Sequence, residues 1–319
     1  MRYDKKSRNR ARKIKRARAT ILFIITAAFV IGGSAIMAQK IAESKQSVQA
    51  AEVVNEQNNL DSNNQNKTTD KSVLNNNSSK QSSDNDYTED VAFVEKYLGQ
   101  QMKGQMPDGV DGKKVVYLTF DDGPSETVTP SILDTLKAEN VHATFFVVGK
   151  AVDESETNKN LLKRELAEGH EIGNHTYSHN YNYLYPKGCI NVDNTMADIE
   201  KTNQSLKNVL GQDFSTRAIR FPGGHMTWAK KDAKGMAAMD KALADKDYHQ
   251  VDWNSLSKDA EGPHKNAAQL KQEVINTMGS KQKLIILMHD TYGKEETAKA
   301  LPEIIKYLKE QGYEFKTLK

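Results

Sequence analysis

The chain has 319 residues, one cysteine (Cys189) and a formal net charge of +3. A single cysteine excludes an internal disulfide and a zinc site made of cysteine ligands, so a domain outside the cytoplasm has to rely on its hydrophobic core. Residues 1–20 hold ten Lys or Arg and one Asp, which leaves 35 basic and 41 acidic residues in the rest of the chain. The positive charge therefore belongs to the first segment, and the body of the chain is mildly acidic.

The first predicted element is an apolar span behind this basic segment. Residues 20–39 contain no charged residue, and about 20 apolar residues suffice to cross a bilayer as a helix. Basic residues in front of such a span keep that end in the cytoplasm, so they favour a membrane contact over a nucleic-acid partner. We predict a basic cytoplasmic tail at 1–19 and a single-pass signal anchor at 20–39, with the rest of the chain outside the cell membrane. The alternative is a cleaved signal peptide and a secreted form, although Ile36-Met37-Ala38 is a poor cleavage site.

Two further segments precede the domain. Residues 40–87 are rich in Asn, Gln, Ser, Lys and Asp and lack hydrophobic periodicity, which is typical of a disordered linker. Residues 88–112 begin with TEDVAFVEKYLGQQMK, in which apolar residues recur at helical spacing behind a candidate cap at Thr88. We predict a short helical lead-in, which either packs on the domain or ends the linker.

Residues 113–319 alternate between strand-like and helix-like segments and are numerous enough for one domain. Strands are predicted in VVYLTFDDG (115–123), ATFFVVG (143–149), HEIGNHT (170–176), RAIRFPG (217–223), YHQVDW (248–253) and KLIILMHD (283–290). Helices are predicted at 131–140, 161–169, 192–210, 230–244, 266–278 and 295–311. About seven βα units imply an α/β domain whose parallel sheet is covered by helices and is either open or rolled into a barrel.

Ionisable residues fall where these predicted strands end: Asp121, Asp122, His175, Arg220, Asp252 and His289. The carboxyl ends of the strands lie on one face of a βα barrel, so these side chains are candidates for a common site. The adjacent carboxylates of Asp121 and Asp122 raise each other's pKa unless a cation or hydrogen-bond donors stabilise them. The alternative is that both are only turn formers.

A pair of histidines favours a metal over a simple turn. His175 and His179, in HTYSH, are four residues apart, so one turn can direct both imidazoles to one ion. Two histidines and a carboxylate make an open zinc site, which can activate water and polarise a carbonyl while a second carboxylate serves as base. Thr176 and Tyr177 stand where a His-Glu-x-x-His metalloprotease needs Glu, which excludes that class in its usual form.

Three residues downstream have candidate roles beside the metal. Arg220 precedes Pro222 and two glycines; it could hold a carboxylate by a bidentate contact, and the glycines let backbone N–H groups approach an oxyanion. His289 is a candidate proton donor, and Asp252 could keep its imidazole charged. The alternatives are that Arg220 makes a surface ion pair and that Asp252 and Trp253 end a strand and fill a core.

Five motifs occur in one order: TFDDG (119–123), HTYSH (175–179), RFPGG (220–224), VDW (251–253) and LMH (287–289). Together they resemble the NodB-type polysaccharide deacetylases, the fourth carbohydrate esterase family, over residues 115–319. This resemblance implies a distorted (β/α) barrel that removes acetyl groups from an N-acetylated sugar polymer. It also implies a divalent metal, with zinc as the first choice and cobalt, nickel or manganese as alternatives, bound by Asp122, His175 and His179.

The resemblance further assigns the acid–base residues. Asp121 matches the base, Arg220 the residue that orients it, and His289 the acid that protonates the departing amine. Asp252 matches the acid that tunes this histidine. Substrate-binding positions follow in the same way: Leu287 for the acetyl methyl, Gly223 through its backbone N–H, and Trp253.

Two departures from the family pattern bear on the substrate. Family members often have Tyr as the fourth residue of the arginine motif, where this chain has Gly223, and an acid where it has His249. A side chain that shapes the sugar site is therefore missing at Gly223.

The leading hypothesis is a monomeric, membrane-anchored enzyme that de-N-acetylates the N-acetylglucosamine of peptidoglycan. Alternative substrates are N-acetylmuramic acid, chitin oligomers and O-acetylated xylan. A different class is a catalytically silent glycan-binding protein, which the loss of the base or of a metal ligand would indicate, and all of these residues are present.

Overall fold

A computed structural model of the chain describes residues 87–319. The predicted tail at 1–19, the anchor at 20–39 and nearly all of the linker at 40–87 lie outside the described residues. Within 87–319, no helix is long and apolar enough to cross a membrane.

The described residues form short strands and longer helices in alternation. The strands are β1 (Thr88–Glu89), β2 (Val115–Asp121), β3 (Thr144–Val147), β4 (Glu171–Asn174), β5 (Ala218–Ile219), β6 (His249–Gln250), β7 (Ser255–Leu256), β8 (Lys283–His289), β9 (Glu314–Phe315) and β10 (Thr317–Leu318). The helices are α1 (Val91–Met102), α2 (Thr129–Glu139), α3 (Gly149–Asp153), α4 (Glu156–Ala167), α5 (Tyr181–Leu184), α6 (Val192–Leu210), α7 (His225–Lys231), α8 (Ala233–Ala244), α9 (Ala267–Met278) and α10 (Glu295–Glu310).

The main sheet is parallel and curled into a half-barrel. Its strands follow the order β6-β5-β4-β3-β2-β8-β7, and β9 pairs with the first two residues of β2. The chain between β6 and β7 crosses from one edge of the sheet to the other. Val251 N–H donates to the Ile219 carbonyl of β5, and Asn254 N–H donates to the Ile285 carbonyl of β8. The α/β class and the parallel sheet were predicted correctly, and the sheet is curled into a half-barrel where the resemblance implied a distorted (β/α) barrel.

Strand β2 separates two cores. Val116, Leu118 and Phe120 pack with the covering helices on the outer face, whereas Val115 and Tyr117 pack on the inner face. All seven residues of β2 are buried, as expected of a strand covered on both faces. Since side chains alternate along a strand, Asp121 faces inward together with Val115 and Tyr117.

Helix α1 closes the inner face. Val91, Val94 and Leu98 belong to the same buried cluster as Tyr117 of β2, and β1 pairs with β10 at the end of the chain. The predicted lead-in helix therefore packs on the domain. Its cap was predicted wrongly: the Asp90 carboxylate accepts from the backbone N–H groups of residues 92 and 93, and Thr88 lies in β1.

Several other elements differ from the prediction. The helix expected at 230–244 is divided into α7 and α8, because Asp232 has non-helical backbone angles and its carboxylate caps α8 at Gly235 N–H. Strands β7, β9 and β10 and the short helices α3 and α5 were not predicted, since two to five residues are too few to give a periodic signal.

Candidate active site

A cavity of about 400 Å³ lies at the carboxyl ends of the strands. Eight of the ten predicted site residues line it: Asp121, Asp122, His175, His179, Gly223, Trp253, Leu287 and His289. The other two, Arg220 and Asp252, lie behind its wall and are buried. The parallel arrangement brings these residues together from distant parts of the sequence, as expected of a βα sheet.

The geometry of three side chains fits a metal ion. Asp122 Oδ1 lies 3.4 Å from His175 Nε2 and 3.3 Å from His179 Nε2, and the three ligand atoms all lie within 4.8 Å of one another. Bonds of about 2.0–2.1 Å in a tetrahedral shell place neighbouring ligand atoms about 3.3–3.4 Å apart. Asp122 Oδ1 is also buried without a hydrogen-bond partner in the described part of the chain, an arrangement that a cation would satisfy.

Hydrogen bonding prepares His175 for this role. The Nδ1 atom of His175 lies 2.8 Å from the backbone carbonyl of Arg220, which requires a proton on Nδ1 and leaves the lone pair on Nε2. Burial raises the pKa of Asp122, but the imidazoles of His175, His179 and His289 outweigh burial and lower that pKa below its ordinary value. The carboxylate is therefore ionised and able to bind a cation.

Two of the three candidate metal ligands also have unusual backbone angles. Asp122 has φ of 73° and His179 has φ of 48°, which is the left-handed region that non-glycine residues seldom adopt. Such conformations persist where the surrounding structure imposes them, and they cluster at functional sites.

Asp121 is held by Arg220 beneath the cavity. Arg220 is fully buried and donates from Nη1 to Asp121 Oδ1 at 2.8 Å and to Thr119 Oγ1 at 2.7 Å. Its Nε donates to the Val251 carbonyl at 2.8 Å and its Nη2 to the Asp252 carbonyl at 3.3 Å. The predicted pairing is confirmed, but it is single rather than bidentate because the guanidinium also ties two backbone carbonyls. One oxygen of Asp121 remains directed to the cavity.

The expected partnership between Asp252 and His289 is wrong. Asp252 accepts from the backbone N–H groups of His225 at 2.7 Å and of Met226 at 2.8 Å, so its carboxylate holds the start of α7. The partner of His289 is Asp259, whose Oδ1 lies 2.8 Å from His289 Nδ1. Asp252 therefore contributes to the site through its backbone carbonyl, which accepts from Arg220 Nη2.

The carboxylate of Asp259 is held in place by three hydrogen bonds. Its Oδ2 accepts from the backbone N–H of His289 at 2.9 Å and from Thr297 Oγ1 at 2.8 Å. Burial lowers the pKa of His289, but the carboxylates of Asp259, Asp121 and Asp122 outweigh burial and raise that pKa to about 9. His289 is thus protonated at neutral pH, and Nε2 is the ring nitrogen left for the cavity.

Apolar side chains form part of the remaining wall. Leu287 and Trp253 line the cavity as predicted, and Leu256 and Tyr181 line it as well. Neither Leu256 nor Tyr181 was predicted, and Asp259 was not predicted either. Tyr181 follows HTYSH by two residues, and this proximity was the only sequence signal for it. Leu256 and Asp259 lie in a polar segment whose sequence shows no period.

The comparisons with known proteins agree with this geometry. A model of the polysaccharide deacetylase family matches residues 108–240. A peptidoglycan-N-acetylglucosamine deacetylase of Bacillus cereus is 35% identical over 220 residues, which are 67% of this chain and 74% of that protein. A peptidoglycan-N-acetylmuramic acid deacetylase of Bacillus subtilis is 34% identical over 206 residues, which are 65% of this chain but 38% of that protein.

A solved structure gives the same result for the fold. The structure of a Streptococcus mutans CE4 esterase matches this chain with a TM-score of 0.64 and 35% identity, covering 73% of this chain and 92% of that one. The curled parallel sheet, the residues gathered in its cavity and the extent of these matches lead to one conclusion: the chain belongs to the polysaccharide deacetylase family.

Proposed function

We propose that this protein is a membrane-anchored hydrolase that removes the acetyl group from N-acetylglucosamine in peptidoglycan. The observation that carries the proposal is the joint placement of three groups in one cavity: the Asp122–His175–His179 cluster, the Asp121–Arg220 pair and the His289–Asp259 pair. The similarity to the two Bacillus peptidoglycan deacetylases supports the substrate class.

Each group has a separate task in amide hydrolysis. Asp122, His175 and His179 would hold a divalent metal, for which we propose zinc, and the metal supplies Lewis acidity that activates water and polarises the acetyl carbonyl. Asp121 accepts the proton of the attacking water, and Arg220 keeps its carboxylate in place.

Proton delivery completes the reaction. The amine is a poor leaving group until it is protonated, and His289 carries a proton at neutral pH because Asp259 stabilises its imidazolium. The acid and the base thus have separate partners, Asp259 for the His289 imidazole and Arg220 for the Asp121 carboxylate.

The wall of the cavity suits a small acyl group. Leu287 and Trp253 give the cavity an apolar surface for the acetyl methyl, and Gly223, which also lines it, would stabilise the oxyanion through its backbone N–H. A tether at residues 40–87 behind an anchor at 20–39 would let the domain reach the polymer of the cell wall.

The second candidate substrate is N-acetylmuramic acid, which the name of the Bacillus subtilis relative favours. The two sugars can be told apart by mass spectrometry of muropeptides after incubation of acetylated peptidoglycan with the full chain. We expect fragments that have lost one acetyl group from N-acetylglucosamine. Loss from N-acetylmuramic acid alone would select the second candidate, and no loss with the metal-loaded protein would overturn the proposed activity.

The two neighbouring aspartates provide a test of the assigned roles. Asp121→Asn keeps the shape but removes the proton acceptor, so we expect it to lower turnover by about 10² to 10⁴-fold while the protein retains its metal. Asp122→Asn removes a charged ligand, so activity and bound metal should fall together, and excess metal should restore part of both. Turnover and elemental analysis of the same preparations measure both effects; the reverse pattern of metal retention would exchange the two roles.

A further inference from the structure

Tyr181 stands at the mouth of the cavity beside the metal cluster. It is the first residue of α5, lines the cavity and has 44% of its surface exposed. Its ring meets the His179 ring edge-on, with centroids 5.6 Å apart and an interplanar angle of 68°. The partly exposed ring of Tyr181 is thus in contact with His179, which we assign as a metal ligand.

Buried aromatic residues support Tyr181 from behind. Tyr185 meets its ring edge-on at 5.7 Å, and Trp228 lies 5.9 Å away. Tyr185 and Trp228 are buried and stack on each other at 3.7 Å, and Trp228 Nε1 donates to the Pro222 carbonyl at 2.9 Å. This aromatic cluster (Tyr181, Tyr185 and Trp228) is therefore tied to the RFPGG turn, and Tyr181 is its exposed member.

Gly223 leaves the space that the Tyr181 phenol occupies. A Cβ atom placed on Gly223 would lie 3.0 Å from Tyr181 Oη and 3.5 Å from Trp228 Nε1. Gly223 also has φ of 81°, a conformation that favours glycine. The turn that carries Arg220 thus leaves room for a side chain from a different loop.

Tyr183 lies in the same helix as Tyr181 but has no aromatic support among the described residues. It is 41% exposed, but it does not line the cavity and makes no ring contact within residues 87–319. A place in α5 is therefore not enough to explain why Tyr181 contacts Tyr185 and Trp228 and lines the cavity.

We infer that Tyr181 is a sugar-positioning residue, whose ring packs on the apolar C–H face of the pyranose that carries the reacting acetyl group. This inference rests on the proposed function and names one determinant of its substrate specificity. Tyrosine suits the task because its ring offers a rigid apolar face. The buried aromatic support keeps the ring in place before the sugar arrives, which reduces the entropy lost on binding.

The test compares the hydrolysis of an acetylated sugar oligomer with the hydrolysis of an acetyl ester that contains no sugar. We expect Tyr181→Ala to raise KM for an N-acetylglucosamine oligomer by about three- to tenfold, the range for one aromatic contact. Turnover of a small aryl acetate should fall much less than turnover of the oligomer, because the aryl acetate has no sugar for the ring to contact, and bound metal is measured on the same preparations. Tyr181→Phe retains the ring and should behave like the parent within about twofold. Tyr183→Ala is the matched control, and it should leave the hydrolysis of both substrates unchanged.

A binding measurement separates positioning from catalysis. In the Asp121→Asn background, calorimetry with the same oligomer should show weaker binding for Tyr181→Ala and unchanged binding for Tyr183→Ala. Equal effects of the two alanine variants, or a loss in Tyr181→Phe as large as in Tyr181→Ala, would overturn the inference. Failure of the proposed function is a different result, since it would appear as a parent protein that deacetylates no oligomer.

Discussion

At the residue scale, His170 is a buried imidazole that the proposed reaction does not use. Its Nδ1 accepts from the backbone N–H of Ala143 at 3.2 Å, and its Nε2 has no partner among residues 87–319. Burial lowers the pKa of His170 to about 4, and the charge of His142 adds to this. The unfolded chain, with the ordinary value of 6.5, therefore binds a proton at a higher pH than the folded domain does.

This difference predicts an acid-sensitive fold. The stability that neutral His170 contributes is present above pH 6.5 and is lost as the pH falls towards 4. The free energy of unfolding should fall by about 3 kcal/mol over this interval. We expect His170→Asn, whose carboxamide oxygen can replace Nδ1, to flatten the fall in unfolding free energy between pH 7 and pH 4. Urea unfolding at a series of pH values measures the slope. An unchanged slope in His170→Asn would show that other groups cause the acid sensitivity.

At the scale of elements, α1 determines how well the inner face of the sheet is closed. Leu98 is 3% exposed and packs in the inner core, whereas Met102, one turn later, is 43% exposed. Leu98→Ala removes buried methyl groups and leaves a cavity, so we expect it to lower the free energy of unfolding by about 2–5 kcal/mol. Met102→Ala should change it by about 0.5 kcal/mol or less. Chemical denaturation of both variants measures the difference, and equal losses would contradict the packing of α1 in this core.

At the scale of the whole molecule, the basic segment and the apolar span ahead of the domain predict its place in the cell. Ten basic residues within 1–20 precede an uncharged span at 20–39, so the domain should face outward while the tail stays in the cytoplasm. Protease added to intact cells should digest residues 87–319 and spare an epitope placed in the tail. Recovery of the full chain mainly in the soluble cytoplasmic fraction would contradict this prediction.

The sequence predicted the metal cluster because its ligands lie in compact motifs. His175 and His179 are four residues apart, and Asp121 and Asp122 come at the end of an apolar run, although the choice of Asp122 as the ligand rested on the family resemblance. The same reasoning failed for Asp259, which lies in a polar loop 30 residues before its partner His289. Asp252 was preferred because it ends a strand, but the backbone N–H groups at the start of α7 already occupy its carboxylate.

The sequence by itself determined the alternation of strands and helices and the motif residues of the cavity, because periodicity and local spacing are properties of short segments. Only the tertiary structure decided that Asp259 pairs with His289, that α1 closes the inner face and that Tyr181 occupies the space left by Gly223. Each of these contacts joins segments that are separated in the sequence or lie on different loops. Such contacts depend on the curvature of the sheet and on the paths of its loops, which no local pattern specifies.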